Sequence, residues 1–234
     1  MPPARQLRLA ALNIDGVLLN DTFSPVIHHF VVSRGAAYTA DVERRIFSQP
    51  QAVAGREMAA VTGLDRSGVD GGEALARYFE ERAAYLADHP VEVLDGALDL
   101  LKRVRSLGLA TVCYGGLGKE HFDRFLGPHV DLFDAPHYVC TNDFRPGIRE
   151  IAALFGLRHD QVLFVDDVAR VAEAARELDV AFIGHPSNFH GSFQRQLMRE
   201  AGVRHVVPSL DGIDEELLAR LDGEAANGTC WTGS

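Results

Sequence analysis

An amide and a carboxylate follow the first apolar run of this sequence. The run Leu7–Leu12 has the length and composition of a buried parallel strand, and Asn13-Ile14-Asp15-Gly16 comes directly after it. Residues two apart on an extended chain point the same way, and α/β proteins bind ligands at the carboxyl ends of parallel strands. Asn13 and Asp15 are therefore predicted to face a ligand together. Their oxygen atoms are of the kind that hold hard cations and move protons.

A second acidic pair, Asp166 and Asp167, follows another apolar run, residues 161–165. If both segments end at one edge of a sheet, their carboxylates approach one another, and repulsion raises the pKa of at least one of them. A cation at that edge would relieve the repulsion. We expect this charge to come from Mg²⁺, which prefers oxygen ligands, or from Arg145.

The segments that must position these residues alternate between strand and helix patterns. Apolar runs typical of buried strands occupy residues 7–12, 109–113, 137–140, 161–167, 180–183 and 203–207. Amphipathic segments separate the later runs. We therefore predict an α/β fold, with a doubly wound (Rossmann-like) parallel sheet of about five or six strands.

The region between the first two strands has a different pattern. Its apolar residues recur three and four positions apart, which is typical of helices, and helices are predicted at 25–32, 39–47, 52–61 and 72–87. The predicted organisation is an α/β core formed by residues 1–19 and 91–222, with an all-helical insertion at 20–90. Residues 223–234 are expected to form a flexible tail.

Composition argues against several classes of function. The formal net charge is −10 and no block is rich in Lys and Arg, whereas nucleic acids and anionic membrane surfaces require clustered cations. No apolar run approaches the roughly 18 residues that a membrane span requires. The 3 cysteines include no Cys-x-x-Cys pair, so neither a disulfide framework nor a structural zinc site is indicated. We expect a globular cytoplasmic protein without nucleic-acid or membrane partners.

The segment Asn13-Ile14-Asp15-Gly16-Val17-Leu18 resembles the first motif of the haloacid dehalogenase-like (HAD) superfamily, a strand followed by Asp-x-Asp-Gly-(Thr/Val)-Leu. Three later elements occur in the order found in that family. They are a strand that ends before Tyr114, the pair Arg145-Pro146, and the strand that ends in Asp166-Asp167. The resemblance covers roughly residues 7–210. It implies an α/β core whose helical insertion is a cap that closes over the site and selects substrate.

The resemblance also implies a role for each position. In the family the first Asp attacks phosphorus to form an aspartyl-phosphate, and the second protonates the leaving oxygen and later activates water. The catalytic positions would be Asn13, Asp15, Tyr114 and Arg145, and the substrate-binding positions Gly115 and Gly116. The positions for a weakly bound Mg²⁺ would be Asn13, Asp15 through its carbonyl, Asp166 and Asp167.

Three of these positions depart from the family pattern. Asn13 stands in place of the nucleophilic Asp, and its amide has nearly the shape of a carboxylate but no charge and no competence as a nucleophile. Tyr114 stands where the family has a Ser or Thr, and Arg145 where it has a Lys. Arg keeps the positive charge but changes its shape. We therefore expect the site to bind metal less tightly than the family's site and to repel an incoming anion less.

Three functions remain open on the sequence. The chain is a repurposed or impaired enzyme acting on a small phosphorylated or other anionic metabolite, or a non-catalytic binding or scaffolding protein with a protein partner, or an ordinary phosphatase of this type with an engineered Asp-to-Asn replacement. Tyr114 and Arg145 argue against the third, because trapping a substrate requires no change at either position. A 2-haloacid dehalogenase also uses the first Asp, so Asn13 counts equally against that activity.

Overall fold

Five parallel strands form one sheet in the computed structural model, which describes residues 4–232. The strands are β1 (Leu9–Asn13), β2 (Ala110–Gly115), β3 (Tyr138–Cys140), β4 (Val162–Asp166) and β5 (Ala181–Gly184). Their order across the sheet is β3-β2-β1-β4-β5. β1 is central and pairs with both β2 and β4, so the chain segments that carry most of the candidate residues are neighbours. The predicted α/β, Rossmann-like parallel sheet is confirmed.

Helices cover both faces of this sheet. They are α1 (Ser24–Val32), α2 (Ala40–Ile46), α3 (Gln51–Thr62), α4 (Gly71–Asp88), α5 (Ala97–Ser106), α6 (Lys119–Phe125), α7 (Ile148–Leu154), α8 (Ala169–Glu177), α9 (Gln194–Glu200) and α10 (Glu215–Asn227). Side chains of β1 alternate between two cores: Leu12 packs with α5 and α10, and Ala11 packs with α1, α7 and α8. Over residues 4–232, no helix has the length and apolar character needed to cross a membrane.

The four helices α1–α4 lie between β1 and β2, at nearly the positions that the apolar spacing predicts. Two of them begin at side-chain caps: Thr39 accepts from the backbone N–H of Val42, and Asp70 accepts from that of Glu73. At the base of the insertion, the side chain of Asn20 donates to the carbonyl of Pro90 (3.0 Å) and accepts from the N–H of Glu92 (2.9 Å). The chain therefore leaves and rejoins the core at one place.

A buried carboxylate fastens this insertion to the core. Glu43 of α2 is 0% exposed and accepts hydrogen bonds from the Tyr38 hydroxyl (3.0 Å), the Phe193 N–H (2.9 Å) and the Gln194 side chain (2.8 Å). Burial raises the pKa of Glu43, and these hydrogen bonds oppose the shift.

The raised pKa of Glu43 makes stability depend on pH. Because the folded state holds this proton more tightly than the unfolded state, whose Glu pKa is about 4.3, the contribution is present below that value and is lost as pH rises through the folded pKa. We expect Glu43→Gln, which cannot ionise, to lose less stability than the wild type as pH rises above about 4.3, with slopes that differ by up to about 1.4 kcal/mol per pH unit. Urea unfolding of both proteins measures this difference. Glu80→Gln, at an exposed position, should leave the wild-type slope unchanged, and a wild-type slope in Glu43→Gln would contradict the assignment.

The prediction of a sixth strand at 203–207 is wrong. This segment meets the sheet at a single bridge between Gly184 and Val206, and the hydrogen bonds there are Gly184 N–H to the His205 carbonyl and Val207 N–H to the Gly184 carbonyl, both 2.9 Å. The segment therefore pairs with β5 (Ala181–Gly184) at its last residue alone and does not form a ladder. The helix α9, which precedes this segment, was not predicted from the sequence.

A flexible tail was predicted for residues 223–234. This prediction is wrong for residues 223–232. Its first residues are the last turns of α10, which continues to Asn227. Beyond the helix, Cys230 is 5% exposed, and the indole of Trp231 donates to the Val180 carbonyl (2.9 Å) with its ring 6.1 Å from that of Phe182. One aromatic side chain thus anchors a segment whose small polar residues suggested disorder. Residues 233 and 234 lie outside the described residues.

Candidate anion and metal site

The floor of the site is a hydrogen-bonded link between the ends of β1 and β4. Asn13, the last residue of β1, donates through Nδ2 to the Asp15 carbonyl (3.0 Å) and to Oδ1 of Asp167 (2.8 Å). Asn13 is 7% exposed and Asp167 5%. The amide therefore presents its hydrogens to these two oxygens, whereas the sequence interpretation expected its oxygen to face a metal.

Gly16 allows this close approach. Its φ is +88°, and a Cβ on it would lie 2.4 Å from Oδ2 of Asp167. A side chain at this position would therefore be strained in the backbone and would clash with the carboxylate.

The neighbouring Asp166 faces away from this floor. It is fully buried and accepts hydrogen bonds from the Tyr114 hydroxyl and from the Val168 N–H, the latter at 2.7 Å. Side chains alternate along a strand, so Asp166 shares the face of Phe164, whose ring packs against Tyr114 at 5.3 Å. The structure thus brings Tyr114 and Asp166 together beneath the site, and neither lines the cleft. The catalytic role expected for Tyr114 and the metal ligation expected for Asp166 do not fit these positions.

Burial perturbs both carboxyl groups. It raises the pKa of Asp166, and the hydrogen bond from Tyr114 opposes the shift. It also raises the pKa of Asp167, where the charge of Asp166 adds to the effect and the hydrogen bond from Asn13 opposes it. A cation or hydrogen-bond donor beside Asp167 is therefore favourable, and the amide of Asn13 is such a donor.

Asp15 is paired with a histidine that sequence analysis missed. Its Oδ1 lies 2.9 Å from Nε2 of His121 on α6, and both side chains are nearly buried. The two residues are 106 positions apart, so no local pattern links them. The only available signal was that α6 follows the carboxyl end of β2, at the edge where Asp15 was already placed.

Arg145 supplies the cation. Its guanidinium lies against Gly116, where a Cβ would come within 2.5 Å of Nη2, and Nη1 is 3.4 Å from the Ser48 hydroxyl. Within residues 4–232 no carboxylate lies in salt-bridge distance of it. Of the two glycines expected to bind substrate, Gly116 lines the cleft, whereas Gly115 is packed on Ile14 and does not line it.

These residues form one end of an open cleft of about 790 Å³, its mouth included, between the sheet edge and the helical insertion. Asn13, Asp15, Asp167 and Arg145 make a polar floor. The walls are mostly apolar and come from α1, α3 and α4; among them are Ile27, Met58, Leu75 and Phe79. A polar floor and apolar walls suit a small molecule with an anionic end and an apolar body.

Three oxygen ligands for Mg²⁺ are available at the floor. The hydrogen-bond distances place the end of the Asn13 side chain next to the Asp15 carbonyl and the Asp167 carboxylate. Turning the amide over would bring three oxygens together, a donor set that suits Mg²⁺ with water completing its shell. Binding would require the amide to give up two hydrogen bonds. Among the residues described here, no cluster of three or more His, Cys, Asp and Glu side chains could hold a metal.

Solved structures similar to this chain share its fold. A phosphonoacetaldehyde hydrolase-like protein from Oleispira antarctica has a TM-score of 0.69 at 13% identity, covering 97% of each chain. A conserved haloacid dehalogenase-like protein of unknown function from Agrobacterium tumefaciens has a TM-score of 0.65 at 18% identity, covering 94% of this chain and 99% of that one. A HAD family hydrolase from Deinococcus radiodurans, with bound phosphate and sodium, has a TM-score of 0.58 at 16% identity, covering 98% and 99%. No protein-family model and no curated protein matches the sequence.

Proposed function

We propose, from the haloacid dehalogenase-like fold of this chain, that its cleft binds a small phosphorylated or other anionic metabolite, and that its chemistry is impaired or repurposed. The observation that carries the proposal is the composition of the cleft floor. A guanidinium free of carboxylate partners among the described residues, Arg145, lines the same cleft as the amide of Asn13. The amide contributes no negative charge where the fold's family has a carboxylate.

Arg145 offers an anion a direct partner at this floor, and Asn13 reduces the repulsion that Asp15 and Asp167 would cause. Arg145 can donate two parallel hydrogen bonds to phosphate oxygens, which strengthens and orients the contact. With Asn at position 13 the floor carries one negative charge fewer than it would with Asp, so an incoming phosphate is repelled less.

Asp15 is the proposed acid and base. His121 is hydrogen-bonded to Oδ1 of Asp15, which fixes the carboxyl group and leaves its Oδ2 for the ligand. A carboxyl group held in this way can protonate a leaving oxygen or take a proton from water. His121 acts through Asp15 and is a positioning residue.

The proposal includes weak Mg²⁺ binding and a cap. Asn13, the carbonyl of Asp15 and Asp167 would hold the ion, which when bound supplies positive charge between an anionic ligand and the carboxylates. Helices α1–α4 would act as the cap, because they provide most of the apolar wall that a substrate's body would contact.

A non-catalytic binding protein is the second candidate. The observation that favours it is the Asn13 amide, whose two hydrogen bonds are those of a satisfied structural link. Such a protein would bind the same anions without turning them over.

Anion binding tests the proposal directly. We expect calorimetry to show that the protein binds inorganic phosphate, and that Arg145→Ala weakens binding by about tenfold or more, because a charge-assisted hydrogen bond contributes about 1.5–3 kcal/mol. Arg145→Lys should restore part of the affinity, since it keeps the charge but loses the paired geometry. Arg149→Ala, which removes an exposed arginine nearby on α7, is the matched control. Equal affinities in Arg145→Ala and the wild type would rule out an anion site at this floor.

A further inference from the structure

Two polar atoms at the cleft lack hydrogen-bond partners. They are Oδ2 of Asp21 and the hydroxyl oxygen of Tyr78, both buried, and no described protein atom bonds to either. Both residues line the cleft, and Tyr78 is only 2% exposed. We call them the Asp21–Tyr78 pair.

The rest of each side chain is held in place. Oδ1 of Asp21 accepts from the N–H groups of Phe23 and Ser24, both at 2.9 Å, where it caps the start of α1. The ring of Tyr78 packs edge-on against Phe30 at 6.0 Å and Phe79 at 5.3 Å. Neither polar atom can therefore reach another partner without breaking these contacts. Buried polar groups are nearly always hydrogen-bonded, so something that enters the cleft must supply the missing partner.

The chemistry of the pair selects a hydrogen-bond donor. A carboxylate oxygen accepts only, whereas a tyrosine hydroxyl both donates and accepts. A ligand hydroxyl suits either atom, because it can donate to Asp21 and accept from Tyr78.

Charge argues for a neutral hydroxyl over an ammonium group. The guanidinium of Arg82 is 7% exposed, lies 4.1 Å from the centre of the Phe23 ring and donates to the Thr22 hydroxyl at 2.7 Å. Burial raises the pKa of Tyr78; the positive charge of Arg82 opposes that shift, and the negative charges of Asp21 and Asp15 add to it. Arg82 thus already offsets the charge of Asp21, and a neutral hydroxyl leaves this balance unchanged, whereas an ammonium group would add a positive charge beside Arg82.

We propose that the Asp21–Tyr78 pair binds a hydroxyl group on the body of the ligand whose anionic end lies on Arg145. This proposal rests on the function proposed above. It narrows the substrate class to small phosphate esters that carry a further hydroxyl group on an apolar chain. Apolar residues of the same cleft, among them Ile27, Met58 and Leu75, would contact the chain.

Calorimetry with alkyl phosphates that differ only in their terminal group tests this inference. The probes are straight-chain alkyl phosphates of about three to six carbons, their ω-hydroxy and ω-amino derivatives, and inorganic phosphate. At the best chain length the wild type should bind the hydroxyalkyl ester about 3- to 10-fold more tightly than the alkyl ester, the range for one net hydrogen bond.

Two variants assign the preference to the pair. Tyr78→Phe should abolish it, keep the affinity for inorganic phosphate, and unfold at the same or a higher temperature than the wild type, because an unpartnered buried hydroxyl is removed. Asp21→Asn should reduce the preference while keeping Oδ1 as the cap of α1. Tyr85→Phe, on the same helix but outside the cleft, is the matched control and should keep the preference for the hydroxyalkyl ester.

The outcomes separate this inference from the proposed function. If inorganic phosphate binds but the wild type shows no preference at any chain length, or Tyr78→Phe keeps the preference, the pair holds only water and the inference is wrong. A stronger preference for the amino esters would overturn the hydroxyl assignment. If inorganic phosphate and all esters fail to bind, the proposed function itself fails, and the inference fails with it.

Discussion

The unmodified protein should release no phosphate above background from p-nitrophenyl phosphate or acetyl phosphate, and Asn13→Asp should create Mg²⁺-dependent release. The wild type has no carboxylate at the attacking position, so the covalent route is closed. In Asn13→Asp a carboxylate stands beside Asp15 at the cleft floor, where Asn13 now lies. We expect Asn13→Asp to release phosphate about 10²-fold faster than the wild-type background. This rate falls short of full activity, because small errors in the position of reacting groups cost about 10²-fold.

Phosphate release by the purified proteins, with Mg²⁺ and with a chelator, measures this gain. Asp15→Asn in the Asn13→Asp background should remove it, which separates the engineered site from a contaminating phosphatase. Tyr114→Ser should add nothing, because the Tyr114 hydroxyl bonds Asp166 beneath the floor. Robust turnover by the unmodified chain, on the order of 1 s⁻¹, would show that another group attacks.

The same substitution should also make stability depend on metal. Asn13→Asp replaces a donor that lies 2.8 Å from Oδ1 of Asp167 with a carboxylate beside that buried carboxylate. Losing a hydrogen bond to a charged group costs about 1.5–3 kcal/mol. At roughly 2–4 °C per kcal/mol for a chain of this size, we expect the unfolding temperature without metal to fall by about 3–12 °C.

Mg²⁺ should reverse this loss, because an anionic ligand replaces a neutral one. In the wild type we expect stabilisation only at millimolar Mg²⁺, since the ion must displace two hydrogen bonds of the amide. Thermal unfolding across a Mg²⁺ titration compares the two proteins. Asn188→Asp, which adds the same charge at an exposed position, is the control and should show neither effect. An Asn13→Asp protein as stable as the wild type in chelator would contradict the repulsion.

The strands and the helices of the insertion were predictable because the burial of each element shows directly in the pattern of apolar residues along it. β1 is buried along its whole length, as are the strands it pairs with over most of theirs, so they read as apolar runs. The helices of the insertion each bury one stripe, so they show a spacing of three and four. The placement of Asn13, Asp15 and Arg145 at one cleft followed from the order of those elements.

Orientation at strand ends was not predictable, because one residue of register reverses it. Asp166 ends β4 and points to the core, whereas Asp167 lies just beyond it and lines the cleft. Tyr114 was placed after its strand but lies within β2, which also turns it towards the core. His121 and Trp231 were missed for another reason: each makes its deciding contact with a residue far along the chain.

The hydrogen bonds of Asn20 with Pro90 and Glu92 bring the two ends of the insertion together at 2.9–3.0 Å. The rest of the chain is therefore constrained as it would be by a tight turn, whatever lies between those ends. Loop-closure entropy grows only slowly with length, by about 0.6 kcal/mol for each doubling. A longer or shorter segment between these residues would therefore alter the free energy of closure by only that small amount, provided that Phe30 and Glu43 keep their contacts with the core. The length of the insertion can thus vary at little cost, whereas the residues that it packs against the sheet cannot.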